Sequence, residues 1–148
     1  MPLFESRTEL ERPPEEVFAF LTRPANLQAI APKDMDLVFV EAPEVLSLGS
    51  RLVFKVQGFG VVQQIEHEII SFDPPRGFTE KMTRGPLAYW QHDYLLEPHG
   101  KGAILWNRIQ FEPPGGLLGL ILTAERLLDH LEQSHARRSA ALKQALAR

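Results

Sequence analysis

The carboxy-terminal stretch, residues 115–147, constrains the fold more than any other segment. It follows Phe111-Glu112-Pro113-Pro114-Gly115-Gly116, the densest breaker cluster in the chain, and then carries no proline and one further glycine, Gly119. At 100° per residue, Leu117, Ile121, Ala124, Leu128, Leu131, His135, Ser139, Leu142 and Leu146 fall within about 40° of one line. Seven of these nine are apolar, so the spacing predicts the buried face of one continuous helix. About 30 residues at ~1.5 Å each make a rod of roughly 45 Å, long enough to cross a whole sheet. His135 and Ser139 interrupt the stripe and predict where an apolar wall turns polar, towards an opening that water reaches. Glu125, Asp129 and Glu132 come early and Arg137, Arg138, Lys143 and Arg148 late, which complements the helix dipole.

Composition narrows the class. A chain of 148 residues, 44% hydrophobic and 24% charged, suits a single domain spanning residues 1–148 with its own core. A formal net charge of −3 argues against nucleic acid as a partner, since a phosphate-backbone binder shows a basic stripe. The absence of cysteine excludes disulfides, thiolate catalysis and cysteine-ligated zinc. Residues 1–12 lack the apolar core of a signal peptide, and the apolar run at residues 117–122 is far short of a transmembrane segment. The expectation is a soluble, cytoplasmic protein.

The remaining elements follow from periodicity and punctuation. Residues 3–12 alternate, with Phe4, Ser6, Thr8 and Leu10 on one face, and predict a half-solvated strand. Pro13-Pro14-Glu15-Glu16 opens a helix, with Val17, Phe20 and Leu21 inward; Pro24 begins a second short helix, with Leu27 and Ile30 inward. Strands are then predicted at residues 35–41, 51–57, 61–72, 78–83, 88–97 and 103–112. Short turns such as Gly58-Phe59-Gly60 and Asp73-Pro74-Pro75-Arg76-Gly77 join them. Short connections mean an antiparallel meander. The class is α+β: strand, two short helices, six strands, long helix. A twisted sheet of seven strands curls, so a straight helix laid across it leaves a cavity.

Three blocks carry a more specific likeness. The first is Pro13-Pro14-Glu15-Glu16-Val17-Phe18-Ala19-Phe20, followed by Pro24, Asn26, Leu27, Ile30 and Pro32. The second combines Ile69 with Phe72-Asp73-Pro74-Pro75-Arg76-Gly77-Phe78, and the third is Gly85-Pro86-Leu87 with Trp90 and His92. With the element order, these resemble the polyketide cyclase/dehydrase and lipid transport branch of the START/Bet v 1-like (SRPBCC) superfamily, over essentially the whole chain. The resemblance implies a helix-grip fold, a curved antiparallel seven-stranded sheet wrapped around a long C-terminal helix, and a hydrophobic ligand cavity. It implies no single reaction.

Strand alternation selects the residues facing that cavity. Phe54 and Val56, Ile65 and His67, Glu80, the set Trp90, His92 and Tyr94, and Asn107 with Ile109 all fall on inward faces. The helix adds Ile121, Leu128, Leu131 and His135. Apolar walls with a few polar groups match a small-molecule site. The polar members also have structural readings: Glu80 paired with His92 or His67, Asn107 with Tyr94, and His135 at a wet opening. An inward Glu80 among apolar neighbours is expected to have a raised pKa.

The five histidines show no metal-ligand spacing, the glycine clusters lack the setting of a phosphate site, and no serine has a nucleophile-elbow context. No metal or cofactor is expected. The leading expectation is therefore binding or transport of a hydrophobic or amphipathic small molecule. A second is a cyclase- or dehydratase-type enzyme using Glu80 with His92 or His67 as acid and base. A third is a protein-interaction module on the exposed face of the long helix, which leaves a homodimer open; Leu120 and Leu127, off the main stripe, could serve it, but broad core burial is the stronger expectation for both.

Overall fold

The computed structural model describes residues 1–58 and 60–147; Phe59 in the predicted hairpin and Arg148 in the predicted basic end of the helix lie outside them. Strand β1 (Leu3–Leu10) is followed by helices α1 (Pro14–Leu21) and α2 (Pro24–Ile30) and a single 3-10 turn at Lys33–Met35. Strands β2 (Val38–Glu41), β3 (Arg51–Gly58), β4 (Val61–Asp73), β5 (Gly77–Arg84), β6 (Tyr89–His99) and β7 (Gly102–Glu112) follow, and the chain closes with α3 (Gly116–Ile121) and α4 (Ala124–Leu146). The element order is the predicted helix-grip order, with two adjustments. Residues 35–37 are not strand, because Asp36 takes a left-handed conformation at φ 48° and ends the 3-10 turn. The closing helix is two helices rather than one.

All seven strands form one antiparallel sheet in the order β1-β7-β6-β5-β4-β3-β2. Only β1 leaves the meander: it pairs with β7, placing β1 and β2 on opposite edges. Six strand spacings of ~4.8 Å separate those edges, about 29 Å if the sheet were flat. The intervening chain crosses that distance as α1 and α2, which lie over the same face as α4. The register shifts between β2 and β3 and at two places between β4 and β5, a kind of irregularity that bends a strand and increases its twist.

The break before α4 is built by Thr123. Its extended backbone stops α3, and its side-chain oxygen accepts a hydrogen bond from the Arg126 N–H, capping the new helix. Gly119 lets α3 fold back on the preceding segment, since a Cβ there would meet the Pro114 carbonyl at 2.2 Å. Interrupting the helix resets its rotational phase. The buried stripe of α4 is Leu127, Leu131, Ser134, His135 and Leu142, whereas Leu117 is 83% and Ile121 58% exposed. Leu127, off the predicted stripe but expected to be core more than interaction surface, is core, whereas Leu120, of which the same was expected, is exposed.

That core has two parts. The larger gathers Val17, Leu21, Leu27, Phe78, Leu105 and Leu142 beneath α1, α2 and the end of α4. The smaller joins Ile109, Phe111, Leu127 and Leu131, with Trp90 and Leu128 against it. Leu142→Ala, at a position 2% exposed, should lower unfolding stability by roughly 2–5 kcal/mol. Leu120→Ala, at 77% exposure, should stay within about 0.5 kcal/mol. Urea midpoints of the two variants check this reassigned face.

Candidate functional site

Between α4 and the concave face of the sheet lies a cavity of about 440 Å³, within the range of small-molecule sites. β3 lines it with Phe54 and Val56, β4 with Ile65 and His67, and β5 with Glu80. β6 contributes Trp90, His92 and Tyr94, α3 contributes Ile121, and α4 contributes Leu131 and His135. Three residues picked from sequence stand outside the wall: Asn107 and Ile109 are buried in β7, and Leu128 packs on the smaller core cluster. The wall also takes in Met82, read as inward from strand alternation, and residues not picked from sequence, among them Met35, Ser134 and Arg138.

The cavity is asymmetric. One end is built from Gly58, Val61, Pro86, Leu87, Leu118 and Ile121. Val61, Leu118 and Ile121 are themselves exposed, so here the wall meets solvent and forms a mouth. The other end is closed by buried polar groups. His67, Glu80, His92 and His135 are each less than a tenth exposed, and Tyr94 is 2% exposed.

Those groups form a directional network. His67 Nδ1 donates to Glu80 Oε2 at 2.6 Å, and the Tyr94 hydroxyl donates to Glu80 Oε1 at 3.1 Å. Arg138 Nη2, reaching in from α4, donates to the Tyr94 oxygen at 2.8 Å, with its guanidinium 5.4 Å from the Tyr94 ring centroid. Both carboxylate oxygens of Glu80 are thereby engaged. The expected ion pair of Glu80 is thus with His67, not His92. His92 instead donates from Nε2 to Asn107 Oδ1 at 2.8 Å and stacks on Tyr94 at 3.9 Å. The expected Asn107–Tyr94 pair does not form: Asn107 bridges His92 to Ser6, and Tyr94 serves Glu80.

Electrostatics correct a second expectation. Burial alone pushes the Glu80 carboxyl up, as predicted. The hydrogen bond and charge of His67, with His92 and Arg138 behind them, outweigh burial and hold it well below the usual carboxylate range. Burial, reinforced by Arg138, pushes His92 down to about 3 and His135 down to about 2. Burial likewise pushes the Tyr94 phenol up.

His135 does not sit at a wet opening. It is 6% exposed, packed 5.1 Å from the Phe4 ring and 5.7 Å from His92, and its Nδ1 has no hydrogen-bond partner. The buried Trp90 Nε1 is unpartnered too. Ser139 bonds Thr8 at 3.0 Å on β1 and takes no part in the cavity wall. Arg138 was legible only as a late helix base. Its spacing of three from His135 puts the two on one helix face.

A family model described as polyketide cyclase/dehydrase and lipid transport matches residues 1–143. Solved structures of similar fold include TTHA0849 from Thermus thermophilus, with a TM-score of 0.77 at 16% identity, covering 99% of this chain and 97% of that one. Another is Ara h 8.0201, with a TM-score of 0.68 at 17% identity and 99% of each chain covered. A third is Ms6760 from Mycobacterium smegmatis, with a TM-score of 0.73 at 14% identity, covering 98% of this chain and 90% of that one. At these identities the likeness concerns the fold. No curated protein matches the chain. Among the described residues, no helix is long and apolar enough to cross a membrane.

The buried histidines make stability depend on pH. An unfolded histidine titrates near 6.5, while His92 and His135 stay neutral in the fold down to about 3 and about 2. Below pH 6.5 the unfolded chain therefore binds protons that the folded chain refuses, and stability falls as pH drops. The slope approaches roughly 1.4 kcal/mol per pH unit from each histidine. Glu80 adds loss of the same sign once the pH passes below its ordinary value of 4.5. Urea midpoints at pH 7, 6 and 5 should decline, and His135→Phe should flatten the decline by about half.

Proposed function

The chain belongs to the polyketide cyclase/dehydrase and lipid transport family, and from that premise we propose that it binds a hydrophobic or amphipathic small molecule beneath α4. The observation that carries the reading is the 440 Å³ cavity, open at an apolar mouth and closed at a polar end. Burying an apolar body there gains roughly 25 cal/mol for each Å² removed from water. The polar end can orient the molecule. The interaction-module reading has less support. The outward face of α4 carries Glu125, Asp129, Glu132, Arg137 and Lys143, and Leu127 is buried.

Native mass spectrometry of the purified chain, and thermal shifts against a panel of lipids, quinones and polycyclic aromatics, test the proposal. At least one class should raise the unfolding temperature. Val56→Trp, which fills the cavity from a half-buried wall position, should abolish that shift. A shift that survives Val56→Trp places the bound molecule elsewhere.

One observation favours a second reading, acid–base chemistry on the bound molecule. His67 and Glu80 are within hydrogen-bond reach at 2.6 Å, and both line the cavity. A carboxylate–imidazole pair of this kind can take a proton from carbon beside a ketone and return it elsewhere. Deuterium exchange at the α-carbon of a bound β-diketone, followed by NMR, reads this directly. Exchange should fall by roughly 10²–10⁴ in Glu80→Gln while binding of the diketone persists. Equal exchange in the variant and the native protein would leave the binding reading standing alone.

A further inference from the structure

We infer that the molecule bound in this cavity carries a carboxylate head, which the closed end receives through Arg138 and His135; the inference rests on the cavity-binding reading above. Arg138 is the cation of the cavity wall that has no acid. Its neighbour Arg137 pairs with Asp34 at 3.1 Å on the outer side of the helix. Arg51 pairs with Glu41 and Glu66, and Arg108 with Glu5. Among the described residues, no carboxylate lies within ion-pair distance of Arg138, whose one hydrogen bond goes to the neutral Tyr94 hydroxyl. Glu80, the acid of the same network, is joined to Arg138 only through the Tyr94 hydroxyl and makes no direct ion pair with it.

A guanidinium has five N–H donors in a planar fork that matches a carboxylate. One tyrosine uses one of them. His135 stands one helical turn before Arg138 on the same wall, more than nine-tenths buried, and its Nδ1 has no hydrogen-bond partner among the described residues. As a neutral imidazole it has one N–H to give. Arg138 is half-buried, whereas the unmet nitrogen of His135 is buried, which is costly, and a ligand oxygen at this end can meet both side chains. The positive field of Arg138, which lowers the proton affinity of both His92 and His135, marks this end as one that favours an anion. The head faces α4 at the closed end, and an apolar body extends past Leu131, Ile65 and Val56 towards the mouth at Leu118 and Ile121.

Matched probe pairs test this on the full chain: dodecanoate against methyl dodecanoate, and 2-naphthoate against methyl 2-naphthoate, by titration calorimetry. In at least one pair the acid should bind roughly tenfold or more tighter than its ester, the scale of a charge-assisted hydrogen bond. Arg138→Gln should bring that ratio to about one while leaving the ester's affinity in place, and Arg138→Lys should restore part of it. Esters that bind as well as acids, or a preference that survives Arg138→Gln, overturn the carboxylate inference while the cavity reading stands. Binding of no probe of either kind overturns the inference together with that reading.

Discussion

The structure depends on one mismatch of shape: a single long helix must fill a concave seven-stranded sheet, and a straight rod cannot follow a curve. Helix α4 meets the sheet at both ends of its buried stripe. Leu127 and Leu131 pack on Ile109 and Phe111, and Leu142 joins the core beneath α1 and α2. Between those anchors the stripe turns polar at Ser134 and His135. The hollow is lined along this helix from Leu127 to Arg138, while His135 and Ser139 keep it in contact with β1 through Phe4 and Thr8. Placing β1 against β7 enforces this arrangement, because the chain must then cross the concavity to reach β2. The crossing segment supplies part of the rim through Leu27, Ala31 and Met35.

A hollow alone would invite collapse, and the polar network resists it. Glu80 on β5, His67 on β4, Tyr94 on β6 and Arg138 on α4 are tied together by hydrogen bonds of 2.6, 3.1 and 2.8 Å. Removing His67 from the buried Glu80 carboxylate costs on the order of 3–5 kcal/mol, since the charge left behind is dry. The network therefore holds the helix at a set distance from the sheet. Phe78 and His92, stacked on the Tyr94 ring at 4.3 Å and 3.9 Å, fix the side chain that joins Glu80 to Arg138.

Much of this was legible in the residues, and the failures have physical causes. Alternation along β6 placed Trp90, His92 and Tyr94 on the inward face because a strand with one buried side tolerates no slip of register. The helix failed at its start. A proline-free run with apolar residues at helical spacing looks continuous, yet Thr123 caps a new helix through its own side chain, a signal carried by one residue and one hydrogen bond. The reset of phase put Leu117, the first residue of the predicted stripe, into solvent. Partner choice was less legible still. Alternation says that Glu80, His67, His92 and Asn107 share a face, but bulges between β4 and β5 decide which of them touch. The direction of the Glu80 pKa follows from that choice rather than from burial.

The exposed apolar residues of α3 follow from the same break. Had the helix continued from Leu117, its first two turns would have crossed the sheet and covered the end where Val61 and Leu87 lie. Because Gly119 folds α3 back on Pro114 and Thr123 starts α4 afresh, Leu118 and Ile121 instead edge the opening while Leu117 and Leu120 face solvent. The capping threonine thus sets where α4 begins, and the residues just before it line the cavity rather than continuing the long helix. The apolar surface left at the rim is the counterpart of the space made available inside.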